Sequence, residues 1–329
     1  MKLFEGVYQI VSQLGDRVLN QYLLTGDHSL LVDTGTHETP RETTLPFMES
    51  VGLAKDDLTY AVNTHCDADH FGGNSELRHL AHRTLLVAHK ADHKQIEDPE
   101  ANMRLRYNVF SRDHGIEYSS KVKSDLRSMM GDCSRLDILL QGGETFRLSD
   151  DWTVEIFHVP GHTPGHIAVW DPKNRAIIIG DAIMGGYIPT ADGKPALPPI
   201  YLSPDNYLSS IGLVKSLDPN ILLTSHHRNM NREQAQKFFD ESAVFVREAE
   251  RQILNSLKAS SEGLTLREMI MKSSDKLVKL PEHAKLDLAF PFAAHLLKLE
   301  KVHQIRRGEK GELVAWKISE GPRRKRRRT

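Results

Sequence analysis

The chain has 329 residues, 39% of them hydrophobic and 26% charged, a balance that excludes disordered chains, which lack the apolar fraction, and membrane-spanning chains, which lack the charge. Its formal charge is −1, yet residues 323–328 (RRKRRR) carry six positive charges, so the rest of the chain carries −7 and lacks the basic surface that nucleic acids require. Two cysteines, Cys66 and Cys133, are too few for a disulfide framework or a cysteine-based zinc module, which leaves histidine and carboxylates as candidate metal ligands.

The first 230 residues contain short Val- and Ile-rich runs bounded by Gly, Pro and Asp, as is typical of buried β-strands. Segments with one apolar helical face lie between them, so the predicted class is α/β. Several runs end directly in His or Asp, which would hold these side chains rigidly beside the loops where chemistry is done. The predicted strands cover residues 30–33, 60–64, 84–88, 154–159, 167–170, 176–179 and 221–224.

Two further segments are candidates for substrate specificity. Residues 89–140 are polar and helix-prone, and we interpret them as an insertion over the site. Residues 184–207 are a proline-containing loop, in which Tyr187 and Tyr201 are candidate walls of a substrate pocket unless they only pack the loop. His227 is a third candidate pocket residue.

A helical pattern begins at Asn231, a candidate N-cap, and leads out of the strand-rich half, which places a domain boundary near residue 245. Residues 246–320 then show the order helix, helix, helix, hairpin, which predicts a winged-helix domain. Its third helix is mostly apolar, with Lys298 as its one lysine, so we predict that it does not read DNA.

This third helix has more apolar residues than one face requires. Helical spacing puts one set on the face that would form the core of the domain itself. Phe292 and Leu296 lie on the other side, and we predict that they pack against the catalytic domain or a second chain. The set predicted to face the core is Phe290, Ala293, Ala294 and Leu297.

The motif THCDADHFGG, residues 64–73, follows a predicted strand and holds four potential ligands within six residues. Two unshielded carboxylates beside two imidazoles are costly unless a cation compensates them, so the motif predicts a divalent metal. Three later motifs, each at the end of an apolar strand, add further ligands. The candidate ligands are His65, Asp67, Asp69 and His70 in the first motif, His162 in VPGHTPGH, Asp181 in IIIGDA and His226 in LLTSHH.

Together with LVDTG, which contains Asp33, these motifs stand in the order found in the metallo-β-lactamase fold hydrolases, and residues 5–230 resemble that family and its glyoxalase II-like members. The resemblance implies an αββα sandwich over residues 1–245, with the winged-helix domain after it. It also implies that Asp33 supports the ligand loop without binding metal. The implied metal ligands are His65, Asp67 and His162 for the first ion, Asp69, His70 and His226 for the second, and Asp181 as the bridge.

Asp67 departs from the family pattern HxHxDH, in which a second histidine usually occupies this position. Two histidines and one carboxylate suit zinc, but they also describe sites for iron or manganese. The carboxylate is similar to that of the diiron oxygen-reducing branch of the fold. The expected cofactors are therefore two divalent metal ions per chain, zinc first, with iron or manganese as alternatives.

A binuclear site of this kind predicts a hydrolase, because two metal ions that share a water would lower its pKa to near ~7 and supply a hydroxide. Asp69 is the candidate catalytic residue that orients this water and accepts its proton. Aromatic and apolar residues in the two specificity segments favour a small organic ester, thioester, lactone or amide as the substrate. The alternatives are a nuclease acting on RNA, suggested by the winged helix and the basic tail, and a diiron oxygen-handling enzyme, suggested by Asp67.

The expected location is the cytoplasm, without membrane association, because no run of 18 apolar residues occurs and Glu5 interrupts the first ten residues. Residues 321–329 are predicted to be a disordered basic tail, the one part expected to contact nucleic acid. The expected partners are a small-molecule substrate and, as one arrangement, a second copy of the chain.

Overall fold

The computed structural model describes residues 1–319, and the predicted basic tail lies outside this range. Seven strands form the first sheet in chain order, with antiparallel pairing from β1 to β4 and parallel pairing from β4 to β7. These strands are β1 (Lys2–Phe4), β2 (Val7–Leu14), β3 (Arg17–Leu24), β4 (Ser29–Val32), β5 (Leu58–Asn63), β6 (Leu85–His89) and β7 (Ile138–Leu140).

Six strands form the second sheet, in the order β15-β14-β11-β10-β9-β8, and only β11 and β14 run parallel to each other. They are β8 (Thr145–Ser149), β9 (Trp152–His158), β10 (Ile167–Asp171), β11 (Ala176–Ile178), β14 (Ile221–Leu223) and β15 (Met230–Asn231). A small hairpin, β12 (Ile188–Pro189) and β13 (Pro195–Leu197), lies between β11 and β14.

The two sheets pack face to face with helices on both outer surfaces. In β4, Leu30 and Val32 face the second sheet, while Leu31 faces α1 and α3 on the other side, so its apolar run is buried on both faces. The second sheet packs in the same way against α8 and α9. These helices are α1 (Leu45–Ser50), α2 (Ala68–Phe71), α3 (Asn74–Leu80), α8 (Pro204–Ser216) and α9 (Arg232–Lys258). The predicted α/β sandwich is therefore confirmed.

All seven predicted strands are present, as β4, β5, β6, β9, β10, β11 and β14. Strands β2 and β3 are not among the predictions because buried polar residues interrupt their apolar pattern. In β2 and β3, for example, the buried Gln9 side chain donates a hydrogen bond to the Asn20 side chain at 2.9 Å. The two buried amides satisfy each other's hydrogen-bonding groups in this way. In the sequence, however, such polar residues are typical of a surface segment.

Parallel pairing brings the functional motifs together. The carboxyl ends of β4 and β5 lie side by side, so Asp33 and the ligand loop that begins at Thr64 meet at one edge. The carboxyl ends of the parallel strands β11 and β14 also lie side by side, which brings Asp181 and His226 together. Both edges contribute to one site between the two sheets, in agreement with the rule that ligands bind beyond the carboxyl ends of parallel strands.

The segment predicted to be a helical insertion carries four short helices before it ends in β7. Its last helix, α7, presents Val122, Leu126 and Met129 at helical spacing toward a cavity described below. The helices of this segment are α4 (His93–Glu97), α5 (Pro99–Asn102), α6 (Ser111–His114) and α7 (Ser120–Met129), with a π-helical turn at Met103–Tyr107.

Helix α9 begins as predicted at Asn231. The Asn231 side chain accepts a hydrogen bond from the Gln234 backbone N–H at 2.9 Å, and the Gln234 side chain accepts one from the Asn231 N–H at 3.0 Å. The helix runs unbroken through residue 245, so the two predicted domains share it. Its first half contributes Phe238 to the core over the second sheet, and its last turns contribute Leu257 to the packing of the following elements.

Residues 259–319 form what we call the C-terminal unit. It contains two helices, a 3-10 segment at Glu282–Leu288 and a three-stranded sheet in the order β16-β18-β17. Together with the last turns of α9, these elements follow the predicted order of three helices and a hairpin, and the short strand β16 is an addition. The winged-helix assignment stays a prediction. The elements are β16 (Leu264–Thr265), α10 (Leu266–Leu277), α11 (Ala289–Lys301), β17 (Ile305–Lys310) and β18 (Leu313–Ile318).

Helix α11 is buried on both of the sides that the sequence predicted, except at Leu297. Phe292 and Leu296 are fully buried in a core shared with the catalytic part of the chain, and Phe290 and Ala294 are buried in the same core. Leu297, predicted to face the core, is 57% exposed. The Tyr201 hydroxyl is hydrogen-bonded to His295 Nε2 at 2.9 Å, which ties α11 to the loop before α8. His295 is therefore buried together with the predicted apolar residues. Among residues 1–319, no helix combines the length and the apolar character needed to cross a bilayer.

Candidate metal centre

The ligand loop leaves β5 and turns at once into α2. Asp67 is the N-cap of α2, yet its carboxylate accepts no hydrogen bond from the helix amides. The Ala68 N–H instead donates to the Tyr107 hydroxyl at 3.0 Å, so the Asp67 carboxylate is free to point into the site.

The structure brings all seven predicted ligands together. They form three groups in which one atom from each residue lies within 4.8 Å of the others, and the first and third groups match the two ligand sets implied by the sequence. The groups are His65, Asp67 and His162; His65, His70 and Asp181; and Asp69, His70 and His226. Asp181 belongs to the middle group, which is the place expected of a bridging carboxylate.

Each of the four candidate histidines is oriented through its Nδ1 atom. Three of the four Nδ1 atoms have an oxygen acceptor, the carboxylate of Asp33 or a backbone carbonyl, and the fourth has the Thr64 hydroxyl, which itself donates to Asp33 at 3.0 Å. This fixes the tautomer so that Nε2 presents its lone pair to the site. The contacts are His65 to Thr64 Oγ1 at 2.9 Å, His70 to Asp33 Oδ2 at 2.8 Å, His162 to the Ile200 carbonyl at 2.7 Å and His226 to the Val18 carbonyl at 2.8 Å.

Asp33 takes the supporting position that the sequence predicted. It is buried, its backbone has φ of 64°, and its carboxylate accepts hydrogen bonds from the Thr64 N–H at 2.7 Å and from His70. A left-handed conformation is uncommon for a residue other than glycine, and aspartate is one of the few that adopt it. Through these hydrogen bonds, Asp33 at the end of β4 holds the ligand loop in place.

The residues fit a divalent metal pair. Within residues 1–319, the Nε2 atoms of His65 and His70 are buried without a hydrogen-bond partner, which is costly unless a cation binds them. Asp181 Oδ2 lies 3.6 Å from His70 Nε2 and 3.3 Å from His226 Nε2. Imidazole and carboxylate donors in this number suit zinc, and they also suit iron or manganese.

The electrostatics of the buried ligands favour a cation at the site. Burial and the neighbouring His70 lower the pKa of His65 to about 4. Burial opposes the charging of His226 as well, but the carboxylates of Asp181 and Asp69 raise its pKa to about 9. A proton on such a ring compensates the buried carboxylates, and a divalent cation would compensate them more strongly.

Arg106 is a functional neighbour that the sequence analysis missed. It lies at 3% side-chain exposure in the π-helical turn of the insertion, and it binds Asp67 in a fork, with Nε 2.6 Å from Oδ1 and Nη2 2.9 Å from Oδ2. Its guanidinium stacks 5.0 Å from the centre of the Phe290 ring in the C-terminal unit. No local signal separates Arg106 from the nearby Arg104, because only the tertiary fold places one of them beside Asp67.

A cavity of about 310 Å³ opens over the candidate ligands. Its apolar walls come from α7 in the insertion and from the loop after Asp181, the two segments predicted to determine specificity. Its polar residues include Arg17, Tyr118, His283 and Asp287, the last two from the C-terminal unit. The apolar wall residues are Val122, Leu126, Met129, Met184, Ile188, Ala196, Leu197 and Ile200.

The three predicted pocket residues lie elsewhere. Tyr201 is fully buried beneath α11, and the His227 ring packs edge-on against Phe238 at 4.9 Å. Tyr187 lines a separate groove of about 1170 Å³ beside α9. None of the three lines the cavity over the ligands. The sequence placed them in the correct loops but could not show which way each side chain points.

Asp287, one of the polar residues of the cavity, has a raised pKa that can be tested. The Tyr118 hydroxyl donates a hydrogen bond to Asp287 Oδ1 at 2.6 Å, and burial raises the pKa of Asp287 to about 6 although Tyr118, Arg17 and His283 oppose the shift. In the unfolded chain this pKa is about 4. The folded protein therefore binds the extra proton between pH 4 and 6, and stability falls as the pH rises through this window.

We expect Asp287→Asn to be more stable than the unmodified protein by about 1–2 kcal/mol at pH 7.5, because the neutral amide avoids burial of a charge and its oxygen still accepts from Tyr118. At pH 4 the difference should disappear. Urea unfolding at both values measures it. An equal change at both pH values would show that titration of Asp287 is not the cause.

Comparison with known proteins places this site in a family. A model of the metallo-beta-lactamase superfamily matches residues 14–226. A hydroxyacylglutathione hydrolase from Methylococcus capsulatus is 26% identical over 138 residues, which are 42% of this chain and 39% of that protein. A linear primary-alkylsulfatase from a Pseudomonas strain is 24% identical over 277 residues, which are 77% of this chain and 48% of that protein. The chain thus spans less than half the length of either relative.

Among solved structures, a metallo-beta-lactamase family protein from Thermus thermophilus superposes with a TM-score of 0.73. The two chains are 19% identical, and the match covers 96% of this chain and 100% of the other. At this sequence identity, the superposition shows a shared fold and nothing further. The shared fold includes the C-terminal unit as well as the sandwich, since the superposition covers nearly the whole chain.

Proposed function

Since this chain belongs to the metallo-beta-lactamase superfamily, we propose that it is a metal-dependent hydrolase that cleaves a small organic ester, thioester, lactone or amide. The observation that carries this proposal is the cavity of about 310 Å³, which has apolar walls and candidate metal ligands at its base. A cavity of this size at the lower end of the range for small-molecule sites suits a compact organic substrate.

We propose a binuclear site with zinc as the first candidate and Asp181 as the shared ligand. Bound divalent ions supply a Lewis acid and lower the pKa of water, so that a nucleophile forms near neutral pH. The protein provides the four oriented imidazoles and excludes bulk water through the apolar walls. Electrostatic effects are stronger in such a water-poor cavity than at the surface.

Asp69 is the proposed catalytic carboxylate. It lines the cavity, and its Oδ2 lies 3.4 Å from His226 Nε2. Burial favours the neutral acid, but His70 and His226 hold the pKa of Asp69 well below its usual range. The ionised side chain can orient the attacking water and receive its proton at a carboxylate oxygen.

The RNA nuclease alternative has less support. Lys298 of the predicted recognition helix lies 3.0 Å from Asp205 and 3.1 Å from Glu250, and Lys285 lies 3.1 Å from Asp275. These lysines are engaged with carboxylates of the same chain, whereas a nucleic-acid surface presents cations to phosphates. The diiron alternative rested on Asp67, whose carboxylate here is held by Arg106.

A substrate panel tests the proposal. Purified protein loaded with zinc, manganese or iron is assayed on aryl esters, acyl thioesters, lactones, amides and a phosphodiester, with a chelated sample as control. We expect metal-dependent turnover of at least one carbon ester, thioester, lactone or amide and little of the phosphodiester. Turnover of the phosphodiester or of RNA alone would move the nuclease to first place.

A further inference from the structure

We infer that Arg106 is a positioning residue that competes with metal at the first site, so that the first site is the weaker of the two and fills last. The first site is His65, Asp67 and His162, and the second is Asp69, His70 and His226. The inference rests on the proposed metal-dependent function and concerns how the chain divides its affinity between the two sites.

The contacts of Arg106 fall on the first site. Its Nη2 lies 2.9 Å from Asp67 Oδ2 and 3.4 Å from His162 Nε2, the two atoms that the first metal would use. His162 Nε2 itself lies 3.0 Å from Asp67 Oδ2. One cationic side chain therefore already occupies the electron pairs of two of the three first-site ligands.

The histidines of both sites are supported in a similar way. His70 has the Asp33 carboxylate on its Nδ1 atom, His226 has the Val18 carbonyl and His162 has the Ile200 carbonyl. An acceptor on Nδ1 makes the ring a better donor to a metal, so this support does not separate the two sites. The difference is the guanidinium of Arg106, which contacts two ligands of the first site.

The structure also holds Arg106 in place. The guanidinium is covered by Phe290 from the C-terminal unit and is anchored by two charge-assisted hydrogen bonds to Asp67. Because the side chain is buried, it cannot swing into solvent without breaking these contacts. A metal held by His65, Asp67 and His162 would therefore share Asp67 with the guanidinium.

Competition of this kind has a measurable size. Groups behind metal ligands typically change metal affinity by about 10- to 100-fold. We expect Zn²⁺ or Co²⁺ titrated into the chelated full-length protein to show two classes of binding, one ion each, that differ by about that factor. Calorimetry and chelator competition both report the two constants without any substrate.

Two ligand variants assign the classes to the sites. His226→Ala should abolish the tight class, and His162→Ala should abolish the weak class and leave one tightly bound ion per chain. Two equal classes in the unmodified protein would overturn the inference. So would loss of the tight class in His162→Ala.

Arg106 is then tested by a matched pair. Arg106→Gln keeps a donor for Asp67 without the charge, and we expect it to tighten the weak class by about 10-fold and leave the tight class unchanged. Arg106→Lys keeps the charge, so metal binding at the first site should stay weak in this variant. A weaker first site in Arg106→Gln would mean that the arginine only supports Asp67, and the competition would be wrong.

These outcomes are independent of catalysis. If the two constants behave as expected while the substrate panel shows no hydrolysis, the proposed function fails and the inference about Arg106 stands. If Arg106→Gln does not fold, the titrations of the unmodified protein and the two histidine variants still decide which site is weaker.

Discussion

Asp181→Ala is expected to lose more than 99% of hydrolytic activity and to bind less metal at both sites. Asp181 Oδ2 faces His70 Nε2 at 3.6 Å and His226 Nε2 at 3.3 Å, and the carboxylate also belongs to a group with His65. Substitution of residues behind a metal ligand costs about 10- to 100-fold, and the loss of a ligand shared by two ions should exceed that. Metal analysis and initial rates measure the two effects.

A buried carboxylate at the opposite end of the β10–β11 pair provides the control. Asp171 is also buried at the end of a strand of the second sheet, but it accepts hydrogen bonds from Trp152 Nε1 at 3.0 Å and from the Asn174 side chain. Asp171→Ala should lower stability and leave metal content unchanged. Full activity with two bound ions in Asp181→Ala would contradict the shared-ligand arrangement.

The second large effect is expected in the C-terminal unit. Phe292 is fully buried in the core that joins α11 to the catalytic part, and Phe292→Asp would place a carboxylate there without a partner. Removal of a buried Phe side chain typically costs about 3–5 kcal/mol, and burial of an unpaired charge adds to that. Since whole domains are stable by only about 5–15 kcal/mol, we expect little folded protein at 37 °C.

Leu297→Asp, on the same helix, is the matched control because Leu297 is 57% exposed. An exposed substitution usually changes stability by less than about 0.5 kcal/mol. Urea unfolding of the two variants should therefore differ by more than about 3 kcal/mol. Similar midpoints for both would mean that the packing of α11 does not contribute to the stability of the fold.

Helix α11 shows what an apolar pattern can and cannot predict. Burial of Phe292 and Leu296 in the core shared with the catalytic part agrees with the pattern, whereas Leu297 is exposed. The buried residue that the pattern did not predict is His295, because it counts as polar in sequence. In the structure it is buried because its two ring nitrogens contact Tyr201 at 2.9 Å and Glu250 at 3.2 Å.

The candidate ligands could be predicted because each stands in a short motif directly after a strand. The local sequence therefore shows both the ligand residue and the strand end at which it lies. Arg106 and Asp287 could not, since they reach the site from the insertion and from the C-terminal unit, far along the chain from the motifs. Their roles depend on packing between distant segments. Tyr187 and His227 failed for the same reason, because loop membership does not determine side-chain direction.

The contacts between the insertion and the C-terminal unit bear on how this protein can be recombined with its relatives. Tyr118 binds Asp287, and Phe290 packs on both Arg106 and Phe110, with ring centres 4.9 Å apart in the second pair. One wall of the cavity, and the packing around the arginine that binds Asp67, therefore depend on both the insertion and the C-terminal unit. A chimaera that exchanges residues 103–129 alone would combine mismatched halves, whereas one that exchanges 282–290 with them would transfer a complete set of contacts.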